Sequence, residues 1–206
     1  MSNAKLLLAT TNRGKLEELR SLLTGVPFDL TSPADIGLTL EVEESGATYT
    51  ANARLKACAF AQASGLLTLA DDSGLEVDAL GGAPGVLSSR YTGPNASDRQ
   101  RIDFLLSKMK DVPPKNRQAH FRCVIVIASP RGGLRMCSGS CTGIILPAPR
   151  GDRGFGYDPV FYFPSLGKTM AELPPETKNR ISHRAKAAAR AKKILAGLVE
   201  NNLSLE

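Results

Sequence analysis

The sequence predicts an α/β fold, and three stretches carry that expectation. Lys5-Leu-Leu-Leu-Ala9 is a short apolar run that passes through a polar loop into an amphipathic helical pattern. Thr48 to Ser64 reads as a helix and is followed by a second apolar run, Leu66 to Ala70. Two β-rich segments after His120 then precede a long alanine- and lysine-rich helix ending near Glu200. Strand and helix alternate early, strands gather late, and a helix closes the chain, so the elements call for a sheet with helices packed on it. The 206 residues suffice for one sizeable core, or for two lobes sharing a sheet. With no internal repeat and no linker, one domain over residues 5–200 is expected.

Each element has its own warrant. After the first strand comes Thr10-Thr-Asn-Arg-Gly-Lys15, then a helix whose apolar stripe is Leu16, Leu19, Leu22 and Leu23. Strand, polar glycine-containing loop and helix together aim backbone N–H groups at an anion, and Arg13 and Lys15 add charge. The spacing is not that of a Walker loop, and an ordinary helix-capped turn fits the same residues. Val26 to Gly46 is irregular and strand-like. The following helix closes at Gly65, and Asn52 and Lys56, four apart, share one of its faces.

The strand Leu66 to Ala70 is expected to end at Asp71 and Asp72, with Ser73 and Gly74 next. Neighbouring strand residues point to opposite faces, so the two carboxylates cannot share one solvated side. A divalent-ion site with a bound water and an Asx turn closing the strand both fit. Gly81, Gly82, Pro84 and Gly85 form a loop towards Arg90-Tyr91. Ser97 and Gln100 make a capping box for a helix through Met109, with Ile102, Leu105, Leu106 and Met109 inward. His120 to Ala128 and Leu134 to Leu146, joined by Gly132-Gly133, read as a hairpin. Gly154-Phe-Gly-Tyr-Asp-Pro159 lacks the third glycine of a dinucleotide fingerprint and suits a planar base instead. Ser182 is a plausible N-cap for the last helix.

Composition narrows the function classes. No apolar run is long enough to span a bilayer and no secretory leader is visible, so a cytoplasmic protein without a membrane partner is expected. The four cysteines and two histidines lack zinc or disulfide spacing and read as free thiols in a reducing compartment. The net charge of +6 favours anionic partners. Aromatic residues are 5% of the chain and are not interleaved with the cations, which argues against nucleic acid.

Six motifs occur in register: Thr10 to Lys15, Ala70 to Leu75, Gly81 to Gly85, Ser89 to Tyr91, Gly154 to Pro159 and Ser182 to Arg184. Together they resemble the inosine triphosphate pyrophosphatase family, the bacterial dITP/XTP pyrophosphatase branch in particular, from Lys5 to about Leu195. The resemblance implies a long twisted mixed β-sheet with helices on both sides, two lobes flanking a nucleotide cleft, and a homodimer. It implies magnesium-assisted hydrolysis of ITP, dITP and XTP to the monophosphate and pyrophosphate. Asp72 would be the general base and a metal contact, and Glu43 the second metal carboxylate, with Glu44 able to exchange roles with it. Thr10, Thr11, Asn12, Arg13, Gly14 and Lys15 would hold the triphosphate, with Ser73 adding a contact. Phe155, Gly156, Tyr157, Asp158, Lys178, His183 and Arg184 would surround the base and phosphates. Asn52, Lys56, Asp71 and Arg90 are further members of the same cleft. Thr11 stands where many relatives have glycine and should stiffen the phosphate loop.

Those residue types suit the implied chemistry. A triphosphate carries about four negative charges, so cations and oriented donors must offset them before water approaches phosphorus. An ionised aspartate can accept that water's proton. A donor facing the 6-oxo group of hypoxanthine or xanthine would oppose the 6-amino donor of adenine. The Phe155 to Asp158 loop and the His183-Arg184 corner are the expected readers. Two rivals remain: a pyrophosphatase for modified pyrimidines or 7-methyl-GTP, whose serine- and arginine-rich opening loop is missing, and a non-catalytic nucleotide or RNA binder.

Overall fold

Leu6, Leu7 and Leu8 are all fully buried, as a strand covered on both faces requires. In the computed structural model, which describes residues 4–93 and 95–200, they belong to strand β1 (Lys5–Leu8). There follow α1 (Arg13–Leu22), β2 (Asp29–Thr31), α2 (Tyr49–Ser64), β3 (Leu67–Val77), α3 (Asp98–Lys108), β4 (Gln118–Ala128) and β5 (Leu134–Ile145). The short strands β6 (Phe161–Phe163) and β7 (Lys168–Thr169) come next, then α4 (Pro175–Ile181) and α5 (His183–Glu200). The seven strands form one mixed sheet in the order β2-β1-β3-β4-β5-β6-β7. β1 pairs in parallel with β2 and β3, Leu6 opposite Leu30 and Leu67, whereas β5–β6 and β6–β7 are antiparallel.

The chain divides into two compact units, one of residues 1–72, 123–139 and 184–206, the other of 73–122 and 140–183. In the first, the period-two alternation of strand side chains sorts the core into two layers. Leu6 and Leu8 of β1, Leu69 of β3, and Cys123, Ile125 and Ile127 of β4 pack with Leu19 and Leu23 at α1 and with Ala187, Ala188, Ala191 and Leu195 of α5. The intervening residues Leu7, Ala70 and Val126, with Ala9 and Ala128, pack with Ala53, Ala57, Phe60 and Ala61 of α2. Helices therefore cover both faces. Ala187, Ala188 and Ala191 form the inner stripe of α5, while Lys186, Arg190 and Lys193 are exposed. The basic run at the C-terminus is thus partly a solvated face, tethered where Arg190 donates to the Ser138 carbonyl and Lys192 to that of Thr24.

The second unit buries Leu75 and Val77 of β3, Ile102 and Leu105 of α3 with Met109 beyond it, Phe121 of β4, Ile145 of β5 and Phe161 and Phe163 of β6. The Ser97 capping box opens α3 as its sequence implies, and Leu106 alone of the four expected inward residues is only partly buried. Two expectations change. β3 does not stop at Ala70: it runs on through both aspartates to Val77, because their buried carboxylates find side-chain partners and no turn is needed to solvate them. β6, β7 and α4, of three, two and seven residues, were not anticipated, being too short to show a period. Among the described residues no helix is long and apolar enough to cross a membrane.

Arg117, almost fully buried, holds the end of α3 to the sheet. Its guanidinium donates to the carbonyls of Met109 (2.8 Å), Val112 (3.2 Å) and Ile145 (2.7 Å). A cation is favoured where a helix exposes its last carbonyls. Arg117→Met should lower stability by about 2–4 kcal/mol, since it keeps an apolar stem and strands buried acceptors. Urea denaturation followed by circular dichroism checks this, and an unchanged midpoint would refute the role.

Candidate active site

Asn12 caps α1 in the first unit: its side-chain oxygen accepts the Lys15 N–H at 2.9 Å, and Thr10 Oγ1 accepts the Asn12 N–H at 3.2 Å. The helix begins at Arg13, so the phosphate-loop residues are both a capped turn and a helix N-terminus, where partial positive charge collects. Lys15 turns inward and meets Asp71 at 3.3 Å. Arg13 turns outward, almost fully exposed, and pairs with Glu17 at 2.9 Å. Thr11 is exposed and Gly14 half-buried.

The two aspartates of β3 have different surroundings, as alternation along a strand demands. Asp71 Oδ2 accepts from both Nε and Nη2 of Arg184 at 3.2 Å, and Arg184 Nη1 donates to Glu18 at 2.5 Å. Burial alone would push the Asp71 carboxyl up. Lys15, Arg184 and Lys56 outweigh it and hold the group well below the usual carboxylate range. Asp72 Oδ2 instead accepts the side-chain amide of Asn52 at 3.1 Å. Its proton affinity is raised, first by burial and further by Glu44, with Lys56 and Lys15 offsetting only part.

Asn52 and Lys56, one helical turn apart on α2, both reach this cluster. Asn52 also accepts the Gly46 N–H at 2.8 Å, which ties the acidic segment before α2 to Asp72. A side chain at Gly46 would run into Ala51 and Asn52. Lys56 donates to Glu44 Oε1 at 2.6 Å and to the Asp71 carbonyl at 2.7 Å, and lies 4.0 Å from Asp72. Glu43 is exposed. Lys15, Lys56 and Arg184 thus lie among the carboxylates of Glu18, Glu44, Asp71 and Asp72.

The second unit holds the remaining expected residues. In the loop 154–158, Asp158 Oδ2 accepts the Phe155 N–H at 3.0 Å and the Lys178 ammonium at 2.5 Å. The Lys178 ammonium lies 5.2 Å from the centre of the Phe155 ring. Gly154 has φ +75°, and a Cβ there would sit 2.1 Å from Asp158 Oδ2, so two separate reasons require glycine. Gly156 donates its N–H to Asp98. Tyr157 is buried, its hydroxyl donating to the Ser88 carbonyl at 3.1 Å; burial pushes that phenol up. His183 is buried and stacked on Phe121, the ring centres 4.6 Å apart. Ser73 is half-buried on β3.

Several expected contact residues are therefore inward-facing. Arg184 is 2% exposed and paired with Asp71 and Glu18 in the first unit, and Lys178 is buried and paired with Asp158 in the second. Glu18, the pairing of Glu44 with Lys56, and Asp98 escaped the sequence reading, which names Glu44 and Lys56 only separately. The partners in these contacts are 166, 12 and 58 positions apart, and no spacing rule connects residues so placed. The four cysteines are free thiols, and burial pushes Cys123 up as a thiol, with Asp71 nearby adding to the effect. A thiolate nucleophile is disfavoured there.

The chain belongs to the Ham1 family, which matches residues 6–194. It is 51% identical over 185 residues to a dITP/XTP pyrophosphatase of Geobacter sulfurreducens, an alignment covering 90% of this chain and 93% of that one. It is 51% identical over 183 residues to a dITP/XTP pyrophosphatase of Thermus thermophilus, covering 89% and 87%. The fold is that of a HAM1 protein from Coxiella burnetii, with a TM-score of 0.85 and 40% identity over 94% of this chain and 99% of that one. The Staphylococcus aureus Ham1 protein is similar at a TM-score of 0.83 and 39% identity, over 94% and 98%.

Removing the charge of Asp71 should be costly. Asp71→Asn leaves Lys15 and Arg184 buried with one carboxylate fewer, and stability should fall by about 3–5 kcal/mol. The sign with pH follows from the depressed native value. The Asp71 contribution is complete above roughly pH 5 and fades as pH falls through the unfolded value near 4 and on towards the native one. Denaturant titrations from pH 7 to pH 3 should show a shallower acid decline in the variant. An equally steep decline would mean that Asp71 is not the stabilising anion.

Proposed function

We propose that this chain hydrolyses purine nucleoside triphosphates with a 6-oxo base (ITP, dITP and XTP) to the monophosphate and pyrophosphate, clearing them from the nucleotide pool. The observation that carries the reading is the contrast between adjacent carboxylates on β3: Asp71 is paired with Lys15 and Arg184, while Asp72 is held by the Asn52 amide and lies 4.0 Å from Lys56, with burial raising its proton affinity. A carboxylate so placed is a fitting general base for water. Its Oδ2 is fixed by Asn52, which restricts how the group turns towards the proton it accepts. The water's oxygen bonds to phosphorus of the α–β anhydride, Asp72 takes the proton, and the bridging oxygen leaves with pyrophosphate. The loop residues Thr10 to Asn12 and the α1 N-terminus at Arg13 to Lys15 are the proposed phosphate cradle, with Ser73 as a further donor.

The donor set fits magnesium. Magnesium is a hard cation that binds through one or two carboxylates, keeps waters and shares substrate phosphates. Asp72 and Glu43 are the proposed holders, because Glu44 is already the counter-ion of Lys56. Bound there, the ion would offset phosphate charge and lower the pKa of a coordinated water. The loop 154–158, with Lys178 and His183, is the proposed base reader. A homodimer and a cytoplasmic site of action belong to the same proposal.

Pyrophosphate release from ITP, XTP, dITP, GTP and ATP with magnesium tests the reading. The first three should turn over and the last two hardly, with Asp72→Asn losing at least about a hundredfold in kcat, within the usual range for general-base removal. Glu43→Gln should raise the magnesium requirement, whereas Glu44→Gln should chiefly lower the melting temperature by freeing Lys56. Inertness towards all five nucleotides, or an Asp72→Asn enzyme as fast as the parent, would refute the function.

A further inference from the structure

Asp98 lies outside every motif described above, yet it holds the proposed base-reading loop. It is the first residue of α3, where a carboxylate is favoured by the helix dipole. One of its oxygens pairs with Arg101, one turn further along the same helix. Arg101 is itself braced, donating to the carbonyls of Ser89 at 2.9 Å and Ala96. The other oxygen, Oδ2, accepts the Gly156 N–H at 2.6 Å. The preceding N–H, that of Phe155, goes to Asp158. Two consecutive loop donors therefore end on two carboxylates from different elements, and the Tyr157 hydroxyl anchors a third point at Ser88.

This changes how the loop can read a base. The N–H groups of Phe155 and Gly156 are already committed, so the half-buried Phe155 ring between them is what the loop presents, and its angle depends on both anchors. Gly156 has φ +62°, a conformation glycine holds without steric help, so a fixed partner must select it. Asp158 and Lys178 are buried neighbours and set one side of the loop. We propose that Asp98, braced by Arg101, is a positioning residue that sets the other side and thereby governs base selection without touching phosphate. This rests on the function proposed above.

The test is steady-state kinetics of Asp98→Ala, Asp98→Asn and Arg101→Gln with ITP and GTP, using inorganic tripolyphosphate as a competitive inhibitor that carries phosphates but no base. Asp98→Ala should raise KM for ITP about tenfold with kcat within about twofold, and should narrow the ITP-to-GTP preference. Asp98→Asn keeps an oxygen for Gly156 but loses the pairing with Arg101, so it should fall between parent and Asp98→Ala. Arg101→Gln should act in the same direction, and adding it to Asp98→Ala should cost nothing more, as expected of two residues in one device. Tripolyphosphate inhibition should be unchanged throughout. An unaltered KM and preference in Asp98→Ala would overturn the proposal. So would weakened tripolyphosphate inhibition or a matching fall in kcat, which would indicate general damage. If Asp98→Ala does not fold, Asp98→Asn and Arg101→Gln decide by the same readouts. A parent inert towards ITP overturns the function itself and this proposal with it, whereas an active parent with indifferent variants overturns only the role of Asp98.

Discussion

The first unit depends on one buried anion. Asp71 sits in the middle of a strand with essentially no exposure, where an unpaired carboxylate would cost several kcal/mol. Two cations from opposite ends of the chain compensate it: Lys15 from the first turn of α1 and Arg184 from the first turn of α5. Both helices also pack their apolar stripes on the same sheet face, so the ion cluster and the hydrophobic layer specify the same arrangement. Glu18 completes the cluster by occupying the remaining arm of Arg184. Lys56 adds a backbone anchor at the Asp71 carbonyl from the other face.

That compensation produces the asymmetry on which the proposed chemistry relies. A strand residue cannot share its neighbour's side, so pairing Asp71 with Lys15 and Arg184 leaves Asp72 to a different set of groups. Those groups include the Asn52 amide and Lys56, itself paired with Glu44; burial, with Glu44 adding to it, raises the Asp72 proton affinity, whereas Lys15, Arg184 and Lys56 overcome burial at Asp71 and depress it. Two adjacent residues of one type thereby acquire two functions, one structural and one suited to accepting a proton.

The second unit solves a different problem, holding a glycine-rich loop in one shape. Glycine permits the positive φ values but does not choose them. The choice comes from carboxylates: Asp158 within the loop, locked by Lys178, and Asp98 from the start of α3, locked by Arg101. The base-reading surface proposed for this loop is therefore built from outside it as much as from its own sequence.

Sequence alone determined the elements that carry a period or a cap. The leucine strand, the Asn52–Lys56 helix face, the Gly65 stop, the Ser97 capping box and the hairpin flanking Gly132 all follow from local geometry, and the structure keeps them. The motif order also pointed to the family that the chain belongs to. Local pattern misplaced the end of β3, since two adjacent aspartates look like a terminator until their partners are known. Only the tertiary structure decided which charged residues are committed to buried pairs and which stay at the surface: Arg13 outward and Lys15 inward, Glu44 on Lys56 and Glu43 exposed, Arg184 buried between two carboxylates. The physical reason is that a side chain's charge is written in the sequence, whereas its partner and its degree of desolvation come from elements as far as 166 residues away.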